Sequence, residues 1–150
     1  MQKNNNNVLP IIHTSSSEEK EWVTEQLIAF NREFFSIPQH DYIIPLNFHI
    51  RDDNGRIVAG INAFMLAKST VYVSILWVDK HHRGYSYGSQ LIEYVECEAK
   101  KLGAVMIHLE TLDFQAREFY LKYGYEEFAV LENSPAPGRA RFYMKKMLSA

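Results

Sequence analysis

The spacing of hydrophobic residues changes period along this chain of 150 residues, and the order of these periods limits its fold more than any other feature. From Leu46 onward apolar and polar residues alternate, with Phe48 and Ile50 on the side of Leu46, as is typical of a half-buried strand. Two further apolar runs, residues 57–66 and 71–78, follow after short turns. Asn54-Gly55 precedes the first of them and predicts a type I′ hairpin turn with positive φ at both residues. This order predicts an antiparallel meander of three strands.

The second half of the chain alternates between helix and strand. Leu91, Ile92, Val95 and Ala99 recur at helical spacing, and Gly103 predicts the end of that helix. Strands are predicted at residues 105–111, 125–131 and 141–147, and a short helix at 115–123. A strand, a helix and a strand in succession imply a parallel crossover. The sequence therefore predicts an α+β fold with a mixed, mostly antiparallel sheet of six or seven strands flanked by helices, in which the change from antiparallel to parallel strands favours a ligand site.

The first third of the chain predicts a leading helix. Ser16 and Glu19 have the spacing of a capping box, and apolar residues then recur at helical spacing, so a helix is expected over residues 18–35. Residues 8–12 predict an edge strand, and 36–44 a loop or brief helix. The polar residues 1–7 are expected to be disordered, which leaves residues 8–150 as a single domain.

Composition excludes several classes of protein. The chain is 47% hydrophobic and 23% charged, which suits a soluble globular protein, and its formal charge of −2 recommends neither a nucleic acid nor an anionic membrane as a partner. No apolar run approaches the roughly 20 residues of a membrane-spanning helix. The single cysteine, Cys97, excludes an intrachain disulfide and favours a reducing, cytoplasmic compartment. His81 and His82 are typical of a solvated loop, so no metal site is expected.

A loop rich in small residues joins the apolar run at 71–78 to the helix that follows. The unpaired N–H groups and the dipole at the start of a helix can hold a phosphate or pyrophosphate without a basic side chain. The loop is not a P-loop, because no Gly-Lys-Ser/Thr closes it, and it lacks the glycine triple of a dinucleotide-binding fingerprint. An ordinary strand-to-helix connection, with glycines for turning, is the alternative.

The loop contains Arg83, then Gly88 five residues later, and Leu91 three residues after that. These residues match three positions of the pattern Gln/Arg-x-x-Gly-x-Gly/Ala with a leucine three residues later, so the loop resembles motif A of the GNAT superfamily of acetyl-CoA-dependent N-acetyltransferases. Gly84 completes an Arg-Gly pair that is common in the family. Ser86 departs from the pattern, because it stands at the first glycine, and it would be strained there if the position requires a positive φ.

A second segment resembles motif B of the same family, which reads Ala-x-x-(aromatic or Leu)-Tyr-x-Lys-x-Gly-(Phe/Tyr). Residues 116–125 read AREFYLKYGY. Asp113 occupies the position where an asparagine is common in the family, and it is expected to cap the helix. Two motifs in the right order are more specific than either alone. From about Leu46 to the C-terminus the resemblance implies a GNAT-like sheet that splays between its fourth and fifth strands, with the arm of acetyl-CoA entering the splay.

The resemblance also implies roles for individual residues. Tyr120 stands at the motif-B tyrosine that protonates the leaving thiolate in many GNAT enzymes, with a core aromatic as the alternative. Glu110 resembles the acidic residue that some relatives use as general base, with a solvated strand-end acid as the alternative. The backbone of the fourth strand near residues 76–78 is expected to polarise the thioester carbonyl. The predicted cofactor-binding residues are Leu76, Trp77, Val78, Arg83, Gly84, Tyr85, Ser86, Tyr87, Gly88, Ser89 and Tyr120.

The sequence as a whole is therefore interpreted as an acetyltransferase that moves acetyl from acetyl-CoA, its co-substrate, to the primary amine of a small molecule through a ternary complex. Two alternatives stay open: acetylation of a protein lysine or N-terminus, and a catalytically idle CoA-binding domain on the same scaffold. A homodimer is compatible with the sequence, which does not fix the oligomeric state or the amine acceptor.

Overall fold

The computed structural model describes residues 11–34 and 42–148, which belong to two compact units, Met1–Ser36 and Ile37–Ala150. The first unit contains helix α1, Ser17–Arg32. Its predicted capping box is confirmed, because the Ser16 hydroxyl accepts from the Glu19 N–H at 3.2 Å and the Glu19 carboxylate accepts from the Ser16 N–H at 2.7 Å. The helix ends about a turn before residue 35.

Several predictions for the first third lie outside the described residues. These are the disordered start at 1–7, residues 8–10 of the edge strand, and residues 36–41 of the loop or brief helix. Ile11 and Ile12 are described and lie in no strand, so that part of the edge-strand prediction is wrong. Residues 43 and 44 of the predicted loop or brief helix are described and belong to a strand, so that part is wrong as well.

The second unit contains the sheet and the other two helices seen in the described residues. Its elements are β1 Ile43–Pro45, β2 Phe48–Arg51, β3 Ile57–Leu66, β4 Thr70–Val78, α2 Tyr87–Lys101, β5 Met106–Leu112, α3 Arg117–Lys122, β6 Glu126–Glu132 and β7 Ala140–Met147. Within the described residues the seven strands form one sheet in the order β1-β3-β4-β5-β7-β6, with β2 pairing with β3 beside β1. The pairing of β4 with β5 is parallel and the other pairings are antiparallel. The predicted α+β fold and the crossover through α2 are confirmed.

The type I′ geometry predicted for the first hairpin turn of the meander is found at the second turn instead. Gly55 alone of the Asn54-Gly55 pair has a positive φ, of 78°, because the Asp52 carboxylate accepts from the N–H groups of Asn54 and Arg56 and shapes a different turn. The type I′ prediction there is wrong. Positive φ at both central residues occurs instead in the turn from β3 to β4, at Ala67 (51°) and Lys68 (52°).

The core lies between one face of the sheet and α2. Side chains from the long strands and from α2 fill this core. Its fully buried side chains include Ile61, Met65, Val71, Ile92, Ile107 and Met144. One charged side chain is also buried there. The carboxylate of Glu96, on α2, accepts from the Tyr125 hydroxyl at 3.0 Å and from Lys146 Nζ, on β7, at 2.7 Å. This contact links α2 to β7, which lies near the β6 edge of the sheet.

Candidate active site

The parallel strands β4 and β5 separate part of the way along their length. Their pairing runs from Thr70 opposite Met106 to Val73 opposite Leu109, and then stops. An irregularity in the pairing of β4 with β3 marks the same place, because Val73 and Ile75 face consecutive residues of β3 and Ser74 is extra. The Ser74 hydroxyl donates to the Asn62 carbonyl at 2.9 Å. A bulge increases local twist, so β4 turns away from β5 and a cleft opens between them.

This cleft has a volume of about 850 Å³. The predicted site residues line it with one exception, and the lining ones are Leu76, Trp77, Val78, Arg83, Gly84, Ser86, Tyr87, Gly88, Ser89, Glu110 and Tyr120. Tyr85 is the exception. It is exposed, with its ring 5.9 Å from that of Tyr87, so the structure keeps it beside the cleft without bringing it to the lining. Residues more than 40 positions apart in sequence thus meet in one cavity.

One wall of the cleft is the start of α2. Gly84 has a φ of 88° and Ser86 a φ of 61°, so the chain enters the helix through two left-handed residues. The Ser86 carbonyl accepts from the Gln90 N–H and from the Ser89 hydroxyl, while the Ser86 side chain makes no capping hydrogen bond. The N–H groups of the first turn have no acceptor within the helix and line an anion-binding end.

Ser86 therefore occupies a backbone conformation that favours glycine. The strain anticipated for a serine at this motif position is present, because a left-handed φ costs an L-residue roughly 1 kcal/mol. Gly88 is not in a left-handed conformation. A Cβ added there would make ordinary contacts, 3.6 Å to the Phe119 ring and 3.7 Å to Val78, so only a side chain larger than that of alanine would compete for space with these two residues.

The cleft also contains a histidine that sequence reasoning placed in a solvated loop. His82 lines the cavity, and its Nδ1 lies 2.8 Å from a carboxylate oxygen of Asp79 in a short 3-10 turn. This hydrogen bond lowers the pKa of Asp79 below its usual range, helped by the His81 N–H. The three-residue spacing of Asp79 and His82 was the signal in the sequence. Arg83 and Lys122 also line the cavity, and their cationic side chains favour an anion.

Tyr120 forms part of the opposite wall. Its side chain is 6% exposed, and its ring packs edge-on against those of Phe119 and Tyr125 at 5.1 and 5.5 Å. Burial raises the pKa of Tyr120 to about 12. The described residues give its hydroxyl no hydrogen-bond partner, so the group is available to a ligand in the cavity.

Glu110 reaches the cleft from β5, but it is not a free carboxylate. Its Oε1 accepts from Arg141 Nη1 at 2.7 Å, and the Tyr72 hydroxyl lies 3.5 Å from the same oxygen. Burial and the neighbouring carboxylate raise the pKa of Tyr72. Arg141 lies 31 positions along the chain, on β7, which is why sequence spacing did not indicate the pair.

The short helix α3 begins later than the sequence predicts. It starts at Arg117 with Ala116 at the N-cap position and no capping side chain, so the N-cap role expected for Asp113 is wrong. The preceding residues are held locally instead, because the Gln115 side chain accepts from the Leu112 N–H at 2.9 Å. Asp113 lies 3.6 Å from Arg139.

Comparison with known proteins decides the family. Residues 11–125 match the family described as Acetyltransferase (GNAT) family. The chain belongs to this family. It is an acyltransferase by that membership, and the splayed sheet, the glycine-containing start of α2 and the tyrosine of α3 are the GNAT features expected from its sequence.

The individual proteins that the chain resembles are also named as acetyltransferases. The chain is 38% identical over 79 residues to the blasticidin-S acetyltransferase of Streptomyces morookaense, a match that covers 52% of this chain and 57% of that protein, so it spans little more than half of that relative. A crystal structure of an acetyltransferase from Bacillus cereus ATCC 14579 superposes with a TM-score of 0.79 at 29% identity, covering 93% of this chain and 98% of that one. An aminoglycoside 6'-N-acetyltransferase complexed with coenzyme A has a TM-score of 0.63 at 18% identity, covering 93% and 98%, and shares the fold.

The described residues contain no group of three or more His, Cys, Asp or Glu side chains placed to hold a metal ion. None of the helices in the described ranges is both long and apolar enough to cross a membrane.

Proposed function

We propose that this GNAT enzyme transfers acetyl from acetyl-CoA to the primary amine of a small molecule, by direct attack within a ternary complex. One observation carries the proposal: the cleft between β4 and β5 has an anion-binding helix start at one end and the Tyr120 hydroxyl in its wall. The helix start suits the phosphates of CoA, and the Tyr120 hydroxyl suits its sulfur. The cytoplasmic location and the homodimer stay predictions.

The start of α2 is the proposed site for the pyrophosphate of CoA. Backbone N–H groups of residues 83–89 donate to the phosphate oxygens, and the positive end of the helix dipole adds to the attraction. Arg83 and Lys122 line the same cavity and supply further donors. Glu110 is the carboxylate among the described lining residues, and its ion pair with Arg141 limits its repulsion of the cofactor.

The free edge of β4 is the proposed site for the thioester. From Ile75 onward β4 has no pairing with β5 in the described structure, so backbone N–H groups near residues 76–78 are free to donate to the carbonyl oxygen. The amine nitrogen then attacks the carbonyl carbon. A C–N bond forms, the C–S bond breaks, and the electron pair of that bond leaves on the CoA sulfur.

Tyr120 is the proposed partner of the departing sulfur. A thiol has a pKa near 8.5 and the pKa of Tyr120 is about 12, so complete proton transfer from the phenol to the thiolate is uphill. The hydroxyl therefore stabilises the developing thiolate mainly as a hydrogen-bond donor. This differs from the matched acid expected from an unperturbed tyrosine, and burial is the cause.

The proton of the attacking ammonium needs an acceptor. Glu110 lines the cleft and is the proposed base, either directly or through a water. Because Arg141 and Tyr72 engage its Oε1, the second carboxylate oxygen is the one that we assign to the proton.

A small-molecule acceptor is supported by one relative, which is named for the acetylation of blasticidin-S. The cleft lies within the second unit and is a cavity of the size that small ligands occupy, roughly 300–1,000 Å³. Acetylation of a protein and an idle scaffold are the competing outcomes of the experiment below.

Calorimetric titration with CoA tests the cofactor site first. The Gly88→Val variant should bind CoA at least about tenfold more weakly, because the side chain fills the approach to the backbone beside Phe119. Acetyl transfer to a panel of amines and peptides, followed by thiol release, tests the reaction. No CoA binding at about millimolar concentration would end the proposal, and binding without transfer to any acceptor would favour the idle scaffold.

A further inference from the structure

Two large apolar side chains stand exposed on β4 at the mouth of the cleft. Ile75 is 53% exposed and Trp77 is 47% exposed, and both line the cavity. The bulge at Ser74 causes this, because it lets Leu76 and Val78 continue the core side of the strand and leaves Ile75 and Trp77 on the other face. Exposed aromatic surface at a cavity is a common mark of ligand contact.

Trp77 has a glycine as its neighbour across the sheet. Gly60 of β3 pairs with Trp77 on one side and with His49 of β2 on the other, so these three positions share the face that points away from α2. Because glycine has no side chain, only the backbone of β3 stands between the positions of Trp77 and His49 on this face, and we call this gap the slot. Among the described residues, no aromatic ring packs against Trp77.

The fold does not require a glycine at position 60. Its φ lies outside the left-handed region, and an added Cβ would lie 3.6 Å from the Phe48 carbonyl oxygen and 3.8 Å from the His49 Cβ, which are ordinary contacts. A glycine within a strand normally weakens it. A glycine that the backbone does not need, in the middle of a ten-residue strand, indicates that the open space itself is used.

We infer that this slot, formed by Trp77, Gly60 and His49, binds a flat aromatic ring of the acceptor and thereby selects aromatic primary amines. The inference rests on the proposed function. The helix start that holds the cofactor lies on the core side of the sheet, so the acceptor reaches the splay from the opposite face, where the slot opens. The ring lies on the Gly60 backbone against the indole, and the amine extends toward the thioester at the free edge of β4.

The charges around the slot favour a ring over a polycation. Its three residues include no carboxylate, and Glu110, the acidic residue of the described cavity lining, is paired with Arg141. An acceptor with several ammonium groups would find one carboxylate that is already neutralised. An aromatic monoamine needs a flat apolar surface and one proton acceptor, which is what this face provides.

The test uses the fluorescence of Trp77. The chain contains two tryptophans, so the Trp22→Phe variant leaves Trp77 as the single reporter. With CoA present, this variant is titrated with 2-phenylethylamine, with its saturated analogue 2-cyclohexylethylamine, and with spermidine. We expect a saturable change for 2-phenylethylamine, with a Kd at least about tenfold lower than that for either other amine.

Two substitutions in the Trp22→Phe background make the test specific. Gly60→Ala should raise the Kd of 2-phenylethylamine at least about fivefold while leaving the urea midpoint equal or higher, since it fills the slot without straining the strand. Phe128→Ala, an exposed aromatic on β6 outside the cavity lining, is the control and should leave the Kd unchanged.

Equal affinity for the aromatic and saturated amines, no response of Trp77 to 2-phenylethylamine, or an unchanged Kd in Gly60→Ala would each overturn the inference. Failure of the proposed function is a separate result, since it would appear as absent CoA binding or absent transfer to every acceptor. A protein that binds CoA and acetylates spermidine while ignoring 2-phenylethylamine would keep the function and lose the slot.

Discussion

Tyr120 owes its chemical character to its surroundings more than to its place in a motif. The phenol is buried among aromatic rings, and its pKa of about 12 keeps it protonated through the pH range in which most enzymes are assayed. Tyr120→Phe removes one oxygen that has no partner in the described structure. Folding and CoA affinity should therefore change little, while kcat falls by roughly 10²-fold, the usual loss when one positioned hydrogen-bond donor to a developing negative charge is removed.

Rates measured across pH separate this role from a purely structural one, because a catalytic hydroxyl makes the kcat of the wild type exceed that of Tyr120→Phe at every pH tested. In the wild-type enzyme the rate should show no loss attributable to Tyr120 until roughly pH 11, because the raised pKa moves that limb beyond the range expected for an ordinary tyrosine. Steady-state rates of both proteins from pH 6 to 10.5, with CoA affinity by calorimetry, provide the measurement. Equal kcat values would remove Tyr120 from the mechanism.

Ser86 is a second residue whose conformation can be tested. Ser86→Gly should raise the free energy of unfolding by about 0.5–1 kcal/mol, because glycine relieves the left-handed φ at the start of α2. Ser86→Ala keeps that φ and removes the hydroxyl, so it should bring no such gain. Gly84→Ala introduces a side chain at a φ of 88° and should therefore lower the free energy of unfolding by about 1 kcal/mol. Urea denaturation of the three variants decides, and a loss in Ser86→Gly would contradict the argument.

At the scale of elements, the buried carboxylate of Glu96 holds α2 against β7. Glu96→Gln keeps the shape of the side chain but weakens its bond to Lys146, which is itself only partly exposed. We expect a loss of about 1–3 kcal/mol in the free energy of unfolding. Glu98→Gln on the same helix is the matched control, since the Glu98–Lys101 pair is exposed and should be worth less than about 0.5 kcal/mol. Equal urea midpoints for the two variants would show that the Glu96 contact does not stabilise the fold.

The elements also show which features a sequence can predict. Strand alternation and helical spacing depend on neighbouring residues, so the meander, α2 and the crossover were predicted correctly. The first turn was not, because the Asp52 carboxylate accepts from the Arg56 N–H, which a type I′ turn would pair with the Asp53 carbonyl, and also from the Asn54 N–H. The bulge at Ser74 is hard to predict because it lies within a continuous apolar run. It shows only in which residues face the core: odd-numbered ones before it, Val71 and Val73, and even-numbered ones after it, Leu76 and Val78.

The candidate site likewise contains some features that the sequence predicts and others that it does not. The loop at the start of α2 and the tyrosine of α3 were predicted because short motifs carry them. The ion pair between Glu110 and Arg141 joins strands that are neighbours only in the folded sheet, and no local pattern indicates it. The slot beside Trp77 likewise depends on the register of three strands, which fixes Gly60 between Trp77 and His49.

At the scale of the whole molecule, buried tyrosines make stability depend on alkaline pH. Burial raises the pKa of Tyr120, and burial together with the Glu96 carboxylate raises that of Tyr125 still further above 10. In the unfolded chain both phenols have a pKa of about 10. As the pH rises above that value the unfolded chain loses these protons while the folded protein keeps them, so unfolding becomes more favourable.

The free energy of unfolding should therefore be steady below about pH 9.5 and fall above pH 10, by up to roughly 1.4 kcal/mol per pH unit for each buried phenol. Urea midpoints from pH 8 to 11.5 measure this, and absorbance at 295 nm follows phenol ionisation in the same samples. Tyr120→Phe removes one of the two groups without breaking a hydrogen bond, so its midpoint should decline less steeply than that of the wild type. Tyr72, whose pKa is also raised, contributes with the same sign in both proteins. A wild-type midpoint that stays constant to pH 11.5 would mean that these phenols ionise equally in the folded and unfolded chains, which is incompatible with their burial in the core.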